Sequence, residues 1–304
     1  MTLLDPTTIR ALADEIGLRP TKQRGQNFVH DANTVRRIVA AAGLADGERV
    51  IEVGPGLGSL TLGLLEAGHE VVAVEIEPAL AARLPQTVAE RLPDAAGRLI
   101  VLEGDALKLE RSLYGSGFFV RNGSGHAPEY PDALVANLPY NVSVPVILRL
   151  LAEFDSIQHG LVMVQAEVAD RLVAGPGSKT YGAPSAKLAW YAHARRVGSV
   201  PPTVFWPAPQ VDSGLVALVR HDPPDTTASR GQVFAVVDAA FGQRRKMLRT
   251  ALSGLFGSPA KTAEALERAG VSPQARGETL DIGAFAAIAE QIPTPDTPPP
   301  RHTK

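Results

Sequence analysis

With 304 residues, 45% of them hydrophobic and 20% charged, the chain has enough apolar surface to pack about two domains and is too apolar for a disordered tether. It has no cysteine, which excludes disulfides and thiolate metal sites and makes a cytoplasmic location the simplest expectation. A net charge of −2 argues against wholesale polyanion binding, and no apolar run approaches the ~20 residues of a membrane span or supplies a signal-peptide core.

Residues 1–18 read as a short amphipathic helix with Ile9, Leu12 and Ile16 on its apolar side, stopped by Gly17. Residues 19–31 are polar with one aromatic and no clear period, as functional loops are. A helix follows over 32–42, ended by Gly43. Residues 48–53 predict a strand, and Gly54-Pro55-Gly56-Leu57-Gly58 turns the chain into a helix over 59–66. A second strand (71–75), a helix (78–91) and a third strand (99–102, closing on Asp105) come next. Residues 114–131, rich in Gly, Ser, Asn and Pro, predict a loop before a fourth strand at 133–136. The pattern continues with a helix over 145–153, a strand over 160–164, a helix opening at 167–173, a loop at 175–179 and a helix over 186–194. Residues 196–200 and 215–219 read as a closing antiparallel pair. Alternating strands and helices predict a doubly wound α/β sheet. Beyond Asp222 the periodicity is helical only, and five prolines in the last thirteen residues predict a disordered tail. The expected organisation is an N-terminal helix and binding segment (1–30), a Rossmann-like domain (31–222), a small all-helical domain (223–291) and the tail (292–304).

The residues able to carry chemistry fall at the ends of the predicted parallel strands, where such sheets bind ligands. A glycine-rich turn after a first strand brings backbone close to a ligand at a helix N-terminus. Here the spacing is Glu52-x-Gly54-x-Gly56-x-Gly58, which departs from the G-x-G-x-x-G of dinucleotide sites. Glu75 ends the second strand, 21 positions after Gly54, where a carboxylate can take both hydroxyls of a ribose. Asp105, ending the third, can accept from an adenine amine; both acids also read as plain loop carboxylates. Asn137-Leu138-Pro139-Tyr140 ends the fourth. An amide oxygen accepts the hydrogens of an exocyclic amine and a phenol ring offers a stacking face, so Asn137 and Tyr140 suit a flat amino-bearing ring. The competing expectation is a strand-to-turn junction with Tyr140 in the core.

The charge is unevenly spread. Residues 171–196 hold five basic side chains and no acidic one, residues 19–37 hold five against one Asp, and Arg244-Arg245-Lys246 with Arg249 forms a third cluster on a predicted helix. Together the clusters suggest a directed nucleic-acid face. Singly, each is explained as well by a solvated helix face, or for the third by cations at a helix C-terminus. The seven histidines show neither metal-ligand nor triad spacing.

The turn followed by the acids resembles class I S-adenosylmethionine-dependent methyltransferases, and this resemblance, not the spacing, separates a methyl donor from NAD. Five motifs in order, Lys22-x-x-Gly25-Gln26-Asn27-Phe28, Glu52-x-Gly54-x-Gly56-x-Gly58, Asn137-Leu138-Pro139-Tyr140-Asn141, Phe205-x-Pro207-x-Pro209-x-Val211-Asp212-Ser213 and Phe241-Gly242-Gln243-Arg244-Arg245-Lys246, resemble the rRNA adenine N6,N6-dimethyltransferase family over about residues 19–290. The type that modifies small-subunit rRNA is the nearest in pattern. Val29 stands where that family usually has Leu, Arg24 replaces a usually apolar residue, and the 114–131 loop is long.

The resemblance implies a Rossmann-like class I fold with S-adenosyl-L-methionine held by Asn27, Val29, Gly54, Gly56, Glu75, Asp105 and Asn137, and no metal. It implies catalysis by Asn137, Leu138, Pro139, Tyr140 and Phe205. The Asn137 oxygen and the Leu138 carbonyl would accept the two N6–H bonds, while Tyr140 and Phe205 sandwich the base; a core aromatic is the plainer expectation for Phe205. Arg244, Arg245, Lys246 and Arg249 would contact RNA phosphates. The implied substrate is two adjacent adenines in a hairpin loop near the 3′ end of 16S rRNA, within a small-subunit (pre-30S) precursor, with a role in subunit biogenesis, acted on by a monomer. Two alternatives stand beside it: a large-subunit adenine methyltransferase of the resistance type, and an RNA-binding assembly factor with slow turnover.

Overall fold

The computed structural model describes residues 2–19, 26–113, 119–120, 129–140 and 142–293. Lys22, Arg24 and Gly25 of the first motif, Asn141, most of the 114–131 loop and the tail beyond 293 lie outside them.

Local chemistry sets the first elements. Helix α1 (Pro6–Glu15) starts with proline and is capped by Asp5, whose carboxylate accepts the Thr8 N–H at 2.7 Å. Strand β1 (Phe28–Val29) precedes α2 (Ala32–Ala42), capped by Asp31 on the Thr34 N–H and closed by left-handed Gly43. The chain then alternates: β2 (Arg49–Val53), α3 (Ser59–Glu66), β3 (Glu70–Glu75), α4 (Pro78–Arg91), β4 (Leu99–Glu103), β5 (Phe119–Val120), β6 (Ala133–Asn137), α5 (Ser143–Glu153), β7 (His159–Gln165) and α6 (Ala166–Leu172). After α7 (Ala183–Leu188) come β8 (Ala192–Val200), β9 (Phe205–Trp206) and β10 (Ser213–Arg220), then α8 (Arg230–Gly242), α9 (Leu248–Ala251), α10 (Ser253–Phe256), α11 (Pro259–Arg268) and α12 (Ile282–Ala289).

Eight strands form one sheet in the order β5-β4-β3-β2-β6-β7-β10-β8, and β1 pairs with β9 in a separate two-stranded ribbon. β4, β3, β2, β6 and β7 run parallel to one another; edge strand β5 pairs antiparallel with β4, and β10 pairs antiparallel with both β7 and edge strand β8. Central strands covered on both faces need continuous apolar runs. Val50, Ile51, Val72, Ala73, Leu134, Val135, Leu161 and Val162 are accordingly at most 1% exposed. Strand order reverses at β2, which has β3 on one side and β6 on the other. That reversal opens a crevice at the strands' carboxyl ends.

Contacts divide the chain into two compact units: residues up to Val173 with Tyr191–Asp222, and Ala174–Trp190 with the residues from Pro223 onward. The N-terminal segment is part of the first, because Leu3, Leu4, Ile9, Leu12, Leu18, Phe28 and Val29 join its core. Residues 174–190, read from sequence as part of the sheet domain, cluster with the helical unit. There Tyr181 sets its ring edge-on to Phe241 (5.7 Å) and donates its hydroxyl to the Leu280 carbonyl (2.8 Å), while Trp190 meets Phe234 at 6.2 Å. The 175–179 loop is fastened to the same unit by the Gly177 N–H on the Glu278 carbonyl at 2.7 Å.

Three element expectations need correction. The helix expected over 186–194 ends at Leu188, since Ala192, His193 and Ala194 pair with Arg220, Val219 and Leu218 as edge strand β8. The 114–131 loop contains β5, laid antiparallel on β4. Helix α8 ends at Gly242, so Arg244, Arg245 and Lys246 sit in a turn, with only Arg249 on the next helix.

Candidate active site

The site is built on the turn after β2. Gly54 (φ +70°) and Gly56 (φ +58°) take left-handed backbone that side chains rarely adopt. At Gly56 space is short as well: a Cβ there would sit 2.6 Å from the Phe28 ring, which the β1–β9 ribbon holds over the turn. The turn in turn fixes Glu75. Its carboxylate, at the end of β3 and 5% exposed, accepts the Gly56 N–H at 3.2 Å and the Glu77 N–H at 2.9 Å. Burial pushes this carboxyl up, and the backbone N–H groups oppose it.

A cavity of about 540 Å³ opens beside the turn. Asn27, Val29, Gly54, Gly56, Glu75, Asp105 and Asn137 all line it, as does Pro139. Residues from five elements or their flanking turns thus meet at one end of the sheet. Asp105 caps its own turn, accepting the Leu107 N–H at 2.9 Å. Asn137 donates its Nδ2 to the Asn27 carbonyl at 3.1 Å, which holds the amide flat and turns Oδ1 into the available acceptor. The Leu138 N–H is taken by the Met163 carbonyl at 3.0 Å, and none of the turn and loop hydrogen bonds among the described residues uses the Leu138 carbonyl.

The aromatic pair comes out differently from the sequence expectation. Tyr140 is half-buried with its hydroxyl 3.1 Å from Ser213 Oγ, and burial pushes its phenol up. Phe205 is 3% exposed, registered opposite Val29 in the ribbon and packed into the core with Leu18 and Phe28. It offers no open stacking face here; the core reading of this ring is the one the structure shows.

Three polar groups that sequence spacing left without a role also reach the cavity. Gln26 Oε1 and Ser59 Oγ are buried with no hydrogen-bond partner, and both residues line the cavity. Glu52 is 1% exposed, accepts the Thr61 hydroxyl at 2.6 Å, and is pushed up to about 8 by burial, with Glu75 adding a like charge. Buried polar atoms left unpaired cost roughly 1–3 kcal/mol each, so the cavity is made for a polar occupant. A donor set of two strand-end carboxylates, an orphan amide oxygen, an orphan hydroxyl and a helix N-terminus fits S-adenosylmethionine, which carries a diol, an aromatic amine, an ammonium and a carboxylate. No group of His, Asp and Glu among the described residues is arranged to hold a metal.

The basic clusters resolve unevenly. In the first unit, Arg171 pairs with Glu167 (2.8 Å) and Arg196 with Asp170; in the second, Lys187 pairs with Asp238 (2.8 Å). The 171–196 run therefore owes much of its apparent excess to acids outside it. Arg244 is likewise engaged within the second unit: Nε donates to Glu278 (2.8 Å) and a terminal nitrogen to the Lys179 carbonyl (2.9 Å). That guanidinium staples the 175–179 loop to the second unit. Arg245, Lys246 and Arg249 are exposed and have no side-chain partner among the described residues.

No helix among the described residues is long and apolar enough to cross a membrane. Among solved structures, the chain is similar to a dimethyladenosine transferase from Plasmodium falciparum (TM-score 0.66, 21% identity, covering 86% of this chain and 95% of that one). It is also similar to the 23S rRNA methyltransferase ErmE (TM-score 0.60, 23% identity, covering 87% and 99%). Both likenesses speak to the fold: a class I methyltransferase sheet. Among curated proteins it is 61% identical to ribosomal RNA small subunit methyltransferase A of Cutibacterium acnes over 95% of this chain and 94% of that protein. It is 59% identical to the protein of the same name from Streptomyces griseus, over 96% of each. Residues 18–293 match the family described as ribosomal RNA adenine dimethylase, a span that takes in the glycine turn, the strand-end acids and Asn137. The chain belongs to the ribosomal RNA adenine dimethylase family.

Proposed function

We propose that this protein transfers methyl groups from S-adenosyl-L-methionine to N6 of adenine in small-subunit rRNA, to the N6,N6-dimethyl product, with Asn137 as the residue that orients the nucleophile. The observation that carries this is the Asn27–Asn137 contact, which engages the amide nitrogen of Asn137 at the end of β6, on the wall of a cavity lined by strand-end acids.

The lone pair of an aromatic amine is delocalised into its ring and is a poor nucleophile. Asn137 Oδ1 and the Leu138 carbonyl accept its two N–H bonds, which lets the nitrogen pyramidalise and aims its lone pair. Pro139 has no N–H to continue the ladder, so the strand ends at these acceptors. The bound donor supplies an electrophilic methyl on a sulfonium. Holding the amine in line with it contributes the acceleration by positioning, without a general base, since the charged product amine sheds its proton to water. Tyr140 presents the stacking ring, pinned by its hydroxyl at Ser213. One such ring supplies roughly 1–3 kcal/mol, against a few kcal/mol to unstack a paired nucleotide, so the substrate adenines are unpaired before they bind. We take the substrate to be two adjacent adenines in a hairpin loop near the 3′ end of 16S rRNA, on a pre-30S particle in the cytoplasm, and the enzyme to be a monomer with a role in subunit biogenesis, as the family resemblance implies. Of these, stacking bears on the unpaired state of the adenines alone. In the second unit, Arg245, Lys246 and Arg249 contact phosphates.

Labelled methyl transfer to isolated small subunits, large subunits and duplex DNA, with nucleoside analysis of the product, tests the reading. Dimethyladenine in small-subunit RNA alone is expected. Label confined to large subunits would move the protein to the resistance type, and binding without label would make it an assembly factor.

A further inference from the structure

We propose that Trp206 is a stacking platform for a second RNA base: the unpaired nucleotide next to the target adenine lays its ring on the indole while the adenine itself goes in toward Asn137. This rests on the reading above that the site methylates adenine in rRNA, and adds where the neighbouring base is held.

The β1–β9 ribbon sets which way its rings face. Partners in an antiparallel pair carry their side chains on the same side, and successive residues alternate. Phe28 is registered opposite Trp206, and Val29 opposite Phe205. Val29 and Phe205 are both 3% exposed and join the core, so the ring expected to meet the substrate is turned inward. Trp206 is turned the other way. Its indole stacks on the Phe28 ring at 6.3 Å and 27°, and Phe28 lies against Gly56 of the turn after β2. Phe28 is buried on the cavity wall whereas Trp206 is half-buried, so the stack runs outward from the wall and ends in an aromatic that water reaches.

The chain places this ring at the rim of the adenine site. Trp206 faces Phe28, whose neighbour Asn27 holds the Asn137 amide; seven residues after Trp206, Ser213 meets the Tyr140 hydroxyl. The segment between them has half-buried Pro207 and Pro209, exposed Val211 and a single charge, Asp212. An apolar rim without a cation suits the flat face of a base and not a phosphate. Every base has such a face, and an exposed aromatic beside a single strand takes it whatever the sequence. The target adenine must pass inward to reach Asn137, so the ring left at the level of Trp206 is that of the adjoining nucleotide.

The chain has two tryptophans, so Trp190→Phe leaves Trp206 as the sole reporter. Its fluorescence is titrated with a single-stranded oligoadenylate and with an abasic strand of the same length, and binding of both strands is followed independently by the anisotropy of an end label. Saturable quenching by the oligoadenylate and none by the abasic strand is expected. Trp206→Leu is expected to weaken the oligoadenylate about five- to a hundredfold, the scale of one base–aromatic stack, and to leave the abasic strand within about twofold. Trp206→Phe keeps a ring and is expected to restore most of the difference. On isolated small subunits the loss in Trp206→Leu is expected to fall on KM rather than kcat, because the indole holds a neighbour and not the reacting base. Circular dichroism checks the fold; if Trp206→Leu does not fold, the quenching titration decides. Binding of the oligoadenylate without quenching, or equal weakening of both strands by Trp206→Leu, overturns the platform and leaves the methylation reading standing. Failure of the unsubstituted protein to methylate small subunits overturns that reading itself.

Discussion

Replacing Glu52 by Gln tests whether the floor of the cavity holds a neutral acid. The carboxyl is fully buried and its pKa rises from 4.5 to about 8, burial being the largest cause and the neighbouring Glu75 a further one. An acid raised in the fold stays protonated there at pH values where the unfolded chain has already released its proton. The unfolded state then binds fewer protons, so stability falls as pH rises from about 4.5 to about 8 and levels off above. At about 1.36 kcal/mol per unit, the loss from about pH 5.5 to about pH 7.5 is on the order of 2–3 kcal/mol. Glutamine carries no titrating proton and still offers an oxygen to the Thr61 hydroxyl. Glu75, also raised by burial, slopes the same way in both proteins and cancels in the comparison. Two-unit chains need not unfold in one step, so the signal must come from the unit that holds Glu52. Trp206 lies in that unit and Trp190 in the other, so urea unfolding by fluorescence in a Trp190→Phe background isolates it. The stability gap between Gln and Glu is expected to widen by about 2–3 kcal/mol across that range, in favour of Gln at the alkaline end. Parallel pH curves for the two proteins would mean that Glu52 is ionised in the fold, and would refute the argument.

Asn137→Ala is expected to lower single-turnover methyl transfer by at least about a hundredfold while donor affinity changes far less, because the lost oxygen orients the amine; unchanged turnover would remove Asn137 from its role. Arg245→Ala, Lys246→Ala and Arg249→Ala together are expected to flatten the salt dependence of RNA binding by about 2 in log–log slope, at roughly 0.7 per single-strand phosphate contact. Arg244→Ala, which loses its bonds to Glu278 and Lys179, is expected to lower the thermal midpoint of the second unit with the slope held, and a changed slope would return it to the RNA contacts. Tyr140→Phe is expected to keep most activity and Tyr140→Ala to weaken substrate binding by about 1–3 kcal/mol, read as KM for the RNA; equal effects would place the hydroxyl, not the ring, in control.

What was legible in the chain is what depends on local chemistry and burial. Helix α2 carries its own start and stop in Asp31 and Gly43, and α4 its proline start, so their limits of 32–42 and 78–91 read directly from sequence. The parallel strands read as apolar runs because both faces are covered, and the turn glycines because no other residue fits their backbone. The misses are elements whose state is decided by a distant partner. Residues 192–194 have a helical look and become strand only because β10 offers an edge. Two-residue strands such as β1 and β5 are too short to have a period at all.

The same division runs through the site, and it separates residues named by type from residues that act through position. Glu75, Asp105 and Asn137 were found because an acid or amide ending a buried strand has little structural reason to be there, and all three do line the cavity. Phe205 and Arg244 also have structural contacts that the sequence does not show, because those are fixed 176 and 34 residues away: Val29 opposite Phe205 in the ribbon, Glu278 paired with Arg244. Gln26 and Ser59 went unassigned for the complementary reason. A polar residue becomes conspicuous when it is buried and lacks a partner, and neither condition is written in the residue or its neighbours. The orphaned atoms therefore add what spacing could not: they place two unmet hydrogen bonds on the cavity wall near the turn and Asn27.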